Sequence, residues 1–410
     1  MTVTVIAVVM VFEFQKRLDQ GVPLLQLTGL IAVLQWLVGP VLNYSTDYVY
    51  GRYSMYVTED EYFRFAIPAT AFYVTLMLST GASVRQKTCF SKCHGKTFSD
   101  RNCSERRSVR GDSRCPQVRR HGRIFCTFCH SCDTSGRCTS CFRGIRCGCC
   151  SLQQPASPLV STSLGSGMFH DLILWLAILF CFWFAQRQWS VPAKLTLLLL
   201  AAISLFSIQV IKQEYRDQIR RGQSPNIVSL IYEYVTPGGQ AWETDALSLA
   251  VTRLNQGWII SAVMMHVPVD EPFAEGETVR DAILSALIPR FVWADKAMAG
   301  GRENFRRFTG LEIQNETSMG ISPLGEAYAN FGVNGGILLM TAFGATFAAI
   351  YFGVLKYALK HPTFLFWIPL IFYQAIKAET ELVVVFNQLA KGGLIAFSCH
   401  YLTMHALPRK

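Results

Sequence analysis

Apolar runs recur along the chain, each closed by a short polar or charged turn. Val22–Leu42, Tyr62–Leu78, Phe169–Phe184, Pro192–Ile211, Asn334–Leu355, Pro362–Ala378 and Leu382 to about Met404 have the lengths that membrane-spanning helices need. Val3–Phe14 is also apolar but falls short of the ~17 residues a span requires. It has neither a basic leader nor a small-residue cleavage site, so it reads as a span whose front is missing rather than a signal peptide. Between the fourth and fifth of these full-length runs lies a long amphiphilic stretch, Lys212–Val333. Within it Asp245–Val263 and Thr278–Leu287 have helical periodicity. The pattern predicts an all-α, polytopic helical membrane protein with one long, partly helical extracytoplasmic loop. Its segments are residues 1–81 (N-terminal spans), 82–166 (a tract without spans), 167–211 (two spans), 212–333 (the loop) and 334–410 (three spans).

Charge sets the orientation of these spans. Lys16 and Arg17, Arg187 and Lys194, Lys356 and Lys360, and Arg409 and Lys410 occupy alternate turns and the C-terminus, which marks them as cytoplasmic. The opposite turns are acidic, with Glu59, Asp60 and Glu61 on one and Glu379 and Glu381 on another. Both sets agree if the Lys212–Val333 loop faces outward. No internal repeat of the transporter kind is visible.

The chain has 410 residues, 16% of them charged and 51% hydrophobic, with mean hydropathy +0.26. That composition excludes a single soluble globule and a disordered chain. The net charge of +10 invites a nucleic-acid reading. Its distribution removes that reading: between Val84 and Cys150 there are 15 Lys+Arg against 4 Asp+Glu, and the remainder carries 23 against 24.

Twelve of the 14 cysteines lie in that same stretch. Cys126, Cys129, Cys132, Cys138 and Cys141 include two C-x-x-C pairs, with His130 between them, which could hold a tetrahedral zinc. The spacer between the pairs is shorter than zinc modules use, and the other cysteines have no rhythm. A translation-frame reading fits better. Cysteine codons read one base later always give Val or Ala, and one base earlier Leu, Met or Val. A Cys/Ser/Arg-rich tract between blocks of spans is what shifted span codons produce. The tract Ala82–Ser166 is therefore expected to be frame-shifted, without a packed domain and without a metal.

The loop carries the candidate chemistry. Ser322-Pro323 reads as a helix N-cap followed by proline at the first helical position. Glu326 and Asn330 then share one face of the incoming helix, near the outer membrane boundary. Arg290, Lys296, Arg302, Arg306 and Arg307 crowd around Gly300-Gly301, where guanidinium forks suit phosphate. Basic residues beside a membrane also simply meet anionic lipid. Trp242, Trp258 and Trp293 are aromatic platforms that could stack on sugars, although interface anchoring or core packing is the commoner use of tryptophan. His266, in an apolar run, reads as structural. His170-Asp171, at the outer start of a span, is a costly ionisable pair unless it is paired or used.

The strings LIPRFVWADKAMAGGRENFRRFTGL and TSMGISPLGEAYANFGVNGGILLM, with GMFHDLILWLAILF, resemble the bacterial oligosaccharide repeat-unit polymerases, the Wzy-type O-antigen polysaccharide polymerases. The resemblance covers roughly residues 167–391 and, more loosely, the first spans. Arg290 and Gly301 also fit an R-x10-G pattern of such proteins. The departure is Ala82–Ser166, where the family has spans.

The resemblance implies a glycosyltransferase of the bacterial cytoplasmic membrane that polymerises undecaprenyl-diphosphate-linked repeat units into a cell-surface polysaccharide. It needs no cofactor or metal. Its partners would be the lipid-linked glycans, membrane lipid, and the flippase and chain-length regulator of the same pathway, with no nucleic acid. Arg290, Lys296, Arg302 and Arg306 are then candidates for the diphosphate, and Trp258, Trp293 and Asn330 for sugar. Glu326 or His170 would be the base, with Asp171 orienting the histidine. A glycan ligase of related chemistry and a transporter or flippase of lipid-linked sugars are the alternatives.

Overall fold

The computed structural model describes residues 1–18, 23–45, 53–79, 174–181, 189–221, 254–289, 292–293, 301–313 and 319–406, with single positions between them. The tract 82–166 lies outside the described residues, as do its cysteines. Among the described residues the secondary structure is helical, with no strand. The helices are α1 (Thr2–Arg17), α2 (Leu24–Ser45, with a π-turn at Leu34–Val38), α3 (Glu59–Ser79) and α4 (Val191–Arg220). Three short ones follow, α5 (Gly257–His266), α6 (Glu277–Leu287) and α7 (Arg302–Thr309). The chain ends in α8 (Ser322–Lys360), a 3-10 turn at Pro362–Trp367, α9 (Ile368–Phe372) and α10 (Leu382–Ala406). Among the described residues, three helical stretches are long and apolar enough to cross a membrane: Leu24–Ser45, Ser322–Lys360 and Leu382–Thr403. The expectation of an all-α membrane protein holds at that level.

Ring contacts give the directions of the helices. α3 and α8 run parallel, because Phe65 meets Tyr328 and, further along, Tyr73 stacks on Phe343 at 5.5 Å. α10 runs parallel to both, with Phe386 against Phe343 and Phe397 against Tyr357. α2 runs the other way along α3, since Gly29 approaches Met77 while Tyr44 meets Tyr62. The starts of α3, α8 and α10 therefore share one end of the bundle. That end carries Glu59, Asp60 and Glu61 in the first turn of α3, and Glu379 and Glu381 before α10. Lys16, Arg17 and Lys360 lie at the ends of helices that run to or start from the opposite side.

One expected element is revised. Pro362–Ala378 is not one α-helix of span length. It returns along α10 in pieces, from Phe364 beside His400, through Phe372 against Phe347, to Ala378, whose carbonyl accepts Trp36 Nε1–H at 3.1 Å. Hydropathy registers its apolar side chains but not its interrupted hydrogen-bond ladder. α4 continues past Ile211 to Arg220, and α8 begins at Ser322, ahead of the expected span start at Asn334. Of the two helices expected inside the loop, Thr278–Leu287 corresponds to α6, and of Asp245–Val263 the last seven residues, from Gly257, fall in α5, while Asn255 and Gln256 just before them are not helical.

α8 is bent at Gly332, whose φ of 64° and ψ of −155° interrupt the helix. The bend frees carbonyls that residues one turn on would have taken. The incoming segment before α6 takes them instead: Ala274 N–H donates to Ala329 O at 3.0 Å and Glu275 N–H to Asn330 O at 3.1 Å. The kink thus divides a short outer piece, Ser322–Phe331, from the apolar remainder that begins near the expected span start, Asn334.

Candidate functional site: two carboxylates at converging helix starts

The first turn of α8 forms as its sequence predicts. Ser322 has a left-handed φ of 67°, Pro323 follows, and Ser322 Oγ accepts Gly325 N–H at 3.2 Å. Glu326, one residue later, does not cap its own helix. Its Oε2 accepts Leu382 N–H, the first of α10, at 2.9 Å. Glu381, immediately before α10, does the converse. Its Oε1 accepts Ile321 N–H, at the threshold of α8, at 3.3 Å. Each helix start is therefore satisfied by the carboxylate of the other. Unsatisfied N–H groups and the positive end of the helix dipole both favour anions there.

Both carboxylates are buried, Glu326 at 1% and Glu381 at 2% exposure. Burial is the main force pushing the Glu381 carboxyl up to about 8, and the neighbouring Glu326 charge adds to it. The Ile321 N–H and the Asn304 amide oppose the shift; Asn304 Nδ2 donates to Glu381 Oε2 at 3.2 Å. Glu381 thereby ties α10 to both α8 and α7. The backbone of Gly301, just before α7, closes over it: a Cβ there would lie 2.8 Å from Glu381 Oε1 and 2.7 Å from Gly320 Cα.

Asn330 completes the cluster. Its Nδ2 donates to Thr278 Oγ1 and to Glu326 O, each at 2.7 Å, and its Oδ1 accepts Gly276 N–H at 3.0 Å. The Thr278 hydroxyl in turn bonds to Glu326. This relay fixes the start of α6 against the outer piece of α8.

The geometry separates the sequence-derived candidates. Glu326 and Asn330 do come together, as their spacing implies, but both are sealed. Asn330 spends both amide hydrogens inside the protein at 1% exposure, so it offers no donor to a sugar. Trp258 is likewise core rather than platform: it is 5% exposed and held edge-on between Tyr53 and Phe305. Trp293 is half-buried in the turn after α6, where its N–H donates to Pro289 O at 3.2 Å. Arg302 opens α7 beside Gly301. Arg306 is half-exposed and pairs with Glu312 at 2.6 Å. Arg307 is held by ion pairs within the protein. It bridges Glu271 at 2.6 Å and Glu277 at 3.0 Å and lies over the Phe308 ring. His266 contacts Asp270 at 3.1 Å, with its ring against Gly310. His170, Asp171, Arg290, Lys296 and Trp242 lie outside the described residues. Among the described residues no group of three or more His, Cys, Asp or Glu is placed to hold a metal.

Glu381 and Asn304 were not singled out by the sequence. Glu381 read as an outward-facing turn charge; the available signal was an acid directly preceding an apolar helix, where a cap belongs. No family model matches the chain, and no curated protein or solved structure matches it either.

Proposed function

We propose that the chain is a multi-span membrane enzyme that polymerises oligosaccharide repeat units carried on a lipid diphosphate. In this reading the acidic end of the bundle and the Lys212–Val333 loop face outward, and the growing glycan is transferred to the sugar of a new repeat unit. The observation that supports it is the juxtaposition at that end: Arg302 opens a short helix whose preceding glycine lies against the buried Glu381. Cations that meet a departing diphosphate stabilise charge that grows in the transition state. Arg290, Lys296 and Arg302 take that role. Glu326, sealed and bonded to Leu382 N–H, acts as a positioning residue, and the base role passes to His170 with Asp171.

The test is polymer length from lipid-linked repeat units in membranes, at matched protein levels. Arg302→Ala and Arg290→Ala are each expected to slow transfer about a hundredfold, the size of a lost transition-state contact of ~3 kcal/mol. Arg290→Lys keeps charge but loses the fork, so it is expected to be nearly as impaired. Full-length polymer at near-normal rates from both alanine variants would overturn the phosphate assignment.

A further inference from the structure

α6 belongs to the sequence's outward loop, yet it lies alongside α10 rather than above it. Its start is tied to Asn330 and Glu326 through Thr278, at the level where α10 begins. Two turns on, Ser285 Oγ accepts from Asn387 Nδ2 at 2.9 Å. The two helices therefore run in the same direction. At 1.5 Å per residue, Asn387 lies about 7.5 Å below the start of α10 and the end of α6 about 10 Å below it. α10 is one of the stretches long and apolar enough to cross a membrane, and its start is flanked by Glu379 and Glu381. Half of a hydrocarbon core is ~15 Å thick, so the last turns of α6 fall within that layer.

The charge pattern of α6 fits this placement independently. Glu277, Arg280 and Asp281 all lie in its first half, and Ala282–Leu287 carries no charge. A helix lying flat on a membrane instead spreads its charges along one face for its whole length. One face of the apolar half is packed, with Ala282 and Ser285 buried, and the other is exposed among the described residues: Ile283 is 45% exposed, Leu284 36% and Leu287 70%. The turn that follows satisfies part of its own backbone, as Val292 and Trp293 N–H both donate to Pro289 O. Irregular backbone at membrane depth requires such internal partners. Lys391 lies four residues beyond Asn387, on the face α10 turns toward α6, where a cation complements the negative C-terminal end of a helix.

We propose that α6 is a re-entrant half-helix whose Ile283–Leu284–Leu287 face is covered by phospholipid acyl chains of the outer leaflet. This rests on the membrane reading of α10 but not on any glycan chemistry. The experiment places the photo-cross-linker p-benzoylphenylalanine at Leu287, at Ile283 as a second site, at Leu394 on α10, and at Val269 in the turn before α6. The full chain is irradiated in native membranes, and adducts are identified by mass at matched protein levels. Leu287, Ile283 and Leu394 are expected to give phospholipid adducts, and Val269 none. Lipid adducts at Leu394 but none at either α6 site, or protein–protein adducts there, would overturn the half-helix. Absence of lipid at Leu394 as well would overturn the membrane reading itself.

Discussion

Two residues carry most of the definition of the acidic cluster, Gly301 and Glu381. Gly301 sits at φ 69°, and a Cβ there would meet Gly320 Cα at 2.7 Å and both Met319 O and Glu381 Oε1 at 2.8 Å. Backbone flanks two of those contacts, so little can yield. Gly301→Ala is expected to cost ~3 kcal/mol, combining left-handed strain with overpacking, and should lower the thermal midpoint or the yield of folded protein. Glu381 gives a pH dependence with a definite sign. Its folded carboxyl titrates near 8 against an ordinary value of 4.5. The folded protein thus holds a proton that the unfolded chain has lost between those values. The stability from this group is full below the ordinary value and is lost as pH rises through about 8. Glu381→Gln stays neutral throughout, so its midpoint relative to wild type should climb from pH 5 to pH 9. A difference that stays flat with pH would show that Glu381 is ionised in the folded state across that range. Ser322 was readable because capping is local, and Glu326 because it shares a helix face with Asn330 four residues on. Glu381 was not, since its partner N–H lies on a helix start sixty residues earlier.

At the scale of elements, the short helices are held by a few polar ties rather than by a core of their own. α7 is flanked by left-handed glycines, Gly301 and Gly310, which set its length. Arg307 fixes it to Glu277, the first residue of α6, and to Glu271 in the segment before it. Arg307→Ala should therefore cost about 1 kcal/mol and speed amide exchange in α7. Arg306→Ala, whose pair with Glu312 is exposed, should stay within ~0.5 kcal/mol of wild type. Equal exchange rates in the two variants would remove the clamp. The expected helices in the loop were legible from period and turn residues, as α6 shows. The direction α6 takes was not, because it follows from a kink at Gly332 that frees two carbonyls for the chain entering α6. The same limit explains Pro362–Ala378: composition announces an apolar segment, while prolines and a 3-10 turn break its ladder.

For the whole molecule, the parallel course of α3, α8 and α10 bears on the frame-shift expectation for the 82–166 tract. α3 starts at the acidic end and runs away from it; if the span expected from Phe169 starts on the outward side, as the charge pattern of the sequence implies, an odd number of crossings is needed between. The tract as written contains no apolar run able to cross, and it concentrates twelve cysteines and a charge excess of 15 against 4. The cysteine enrichment would become apolar in a shifted frame, because every cysteine codon becomes Val, Ala, Leu or Met when read one base away. About 85 residues is room for three spans of ~20 with turns between them. The gene read in its other frames is accordingly expected to show three span-length apolar runs across codons 82–166, with basic and acidic turns in alternation. A protein carrying the corrected frame should place a reporter fused after Gly276 outside the cytoplasm and make polymer from lipid-linked repeat units. If neither alternative frame encodes such runs, the tract is native sequence, the crossing count must be met elsewhere, and the C-x-x-C pairs regain their claim to a metal.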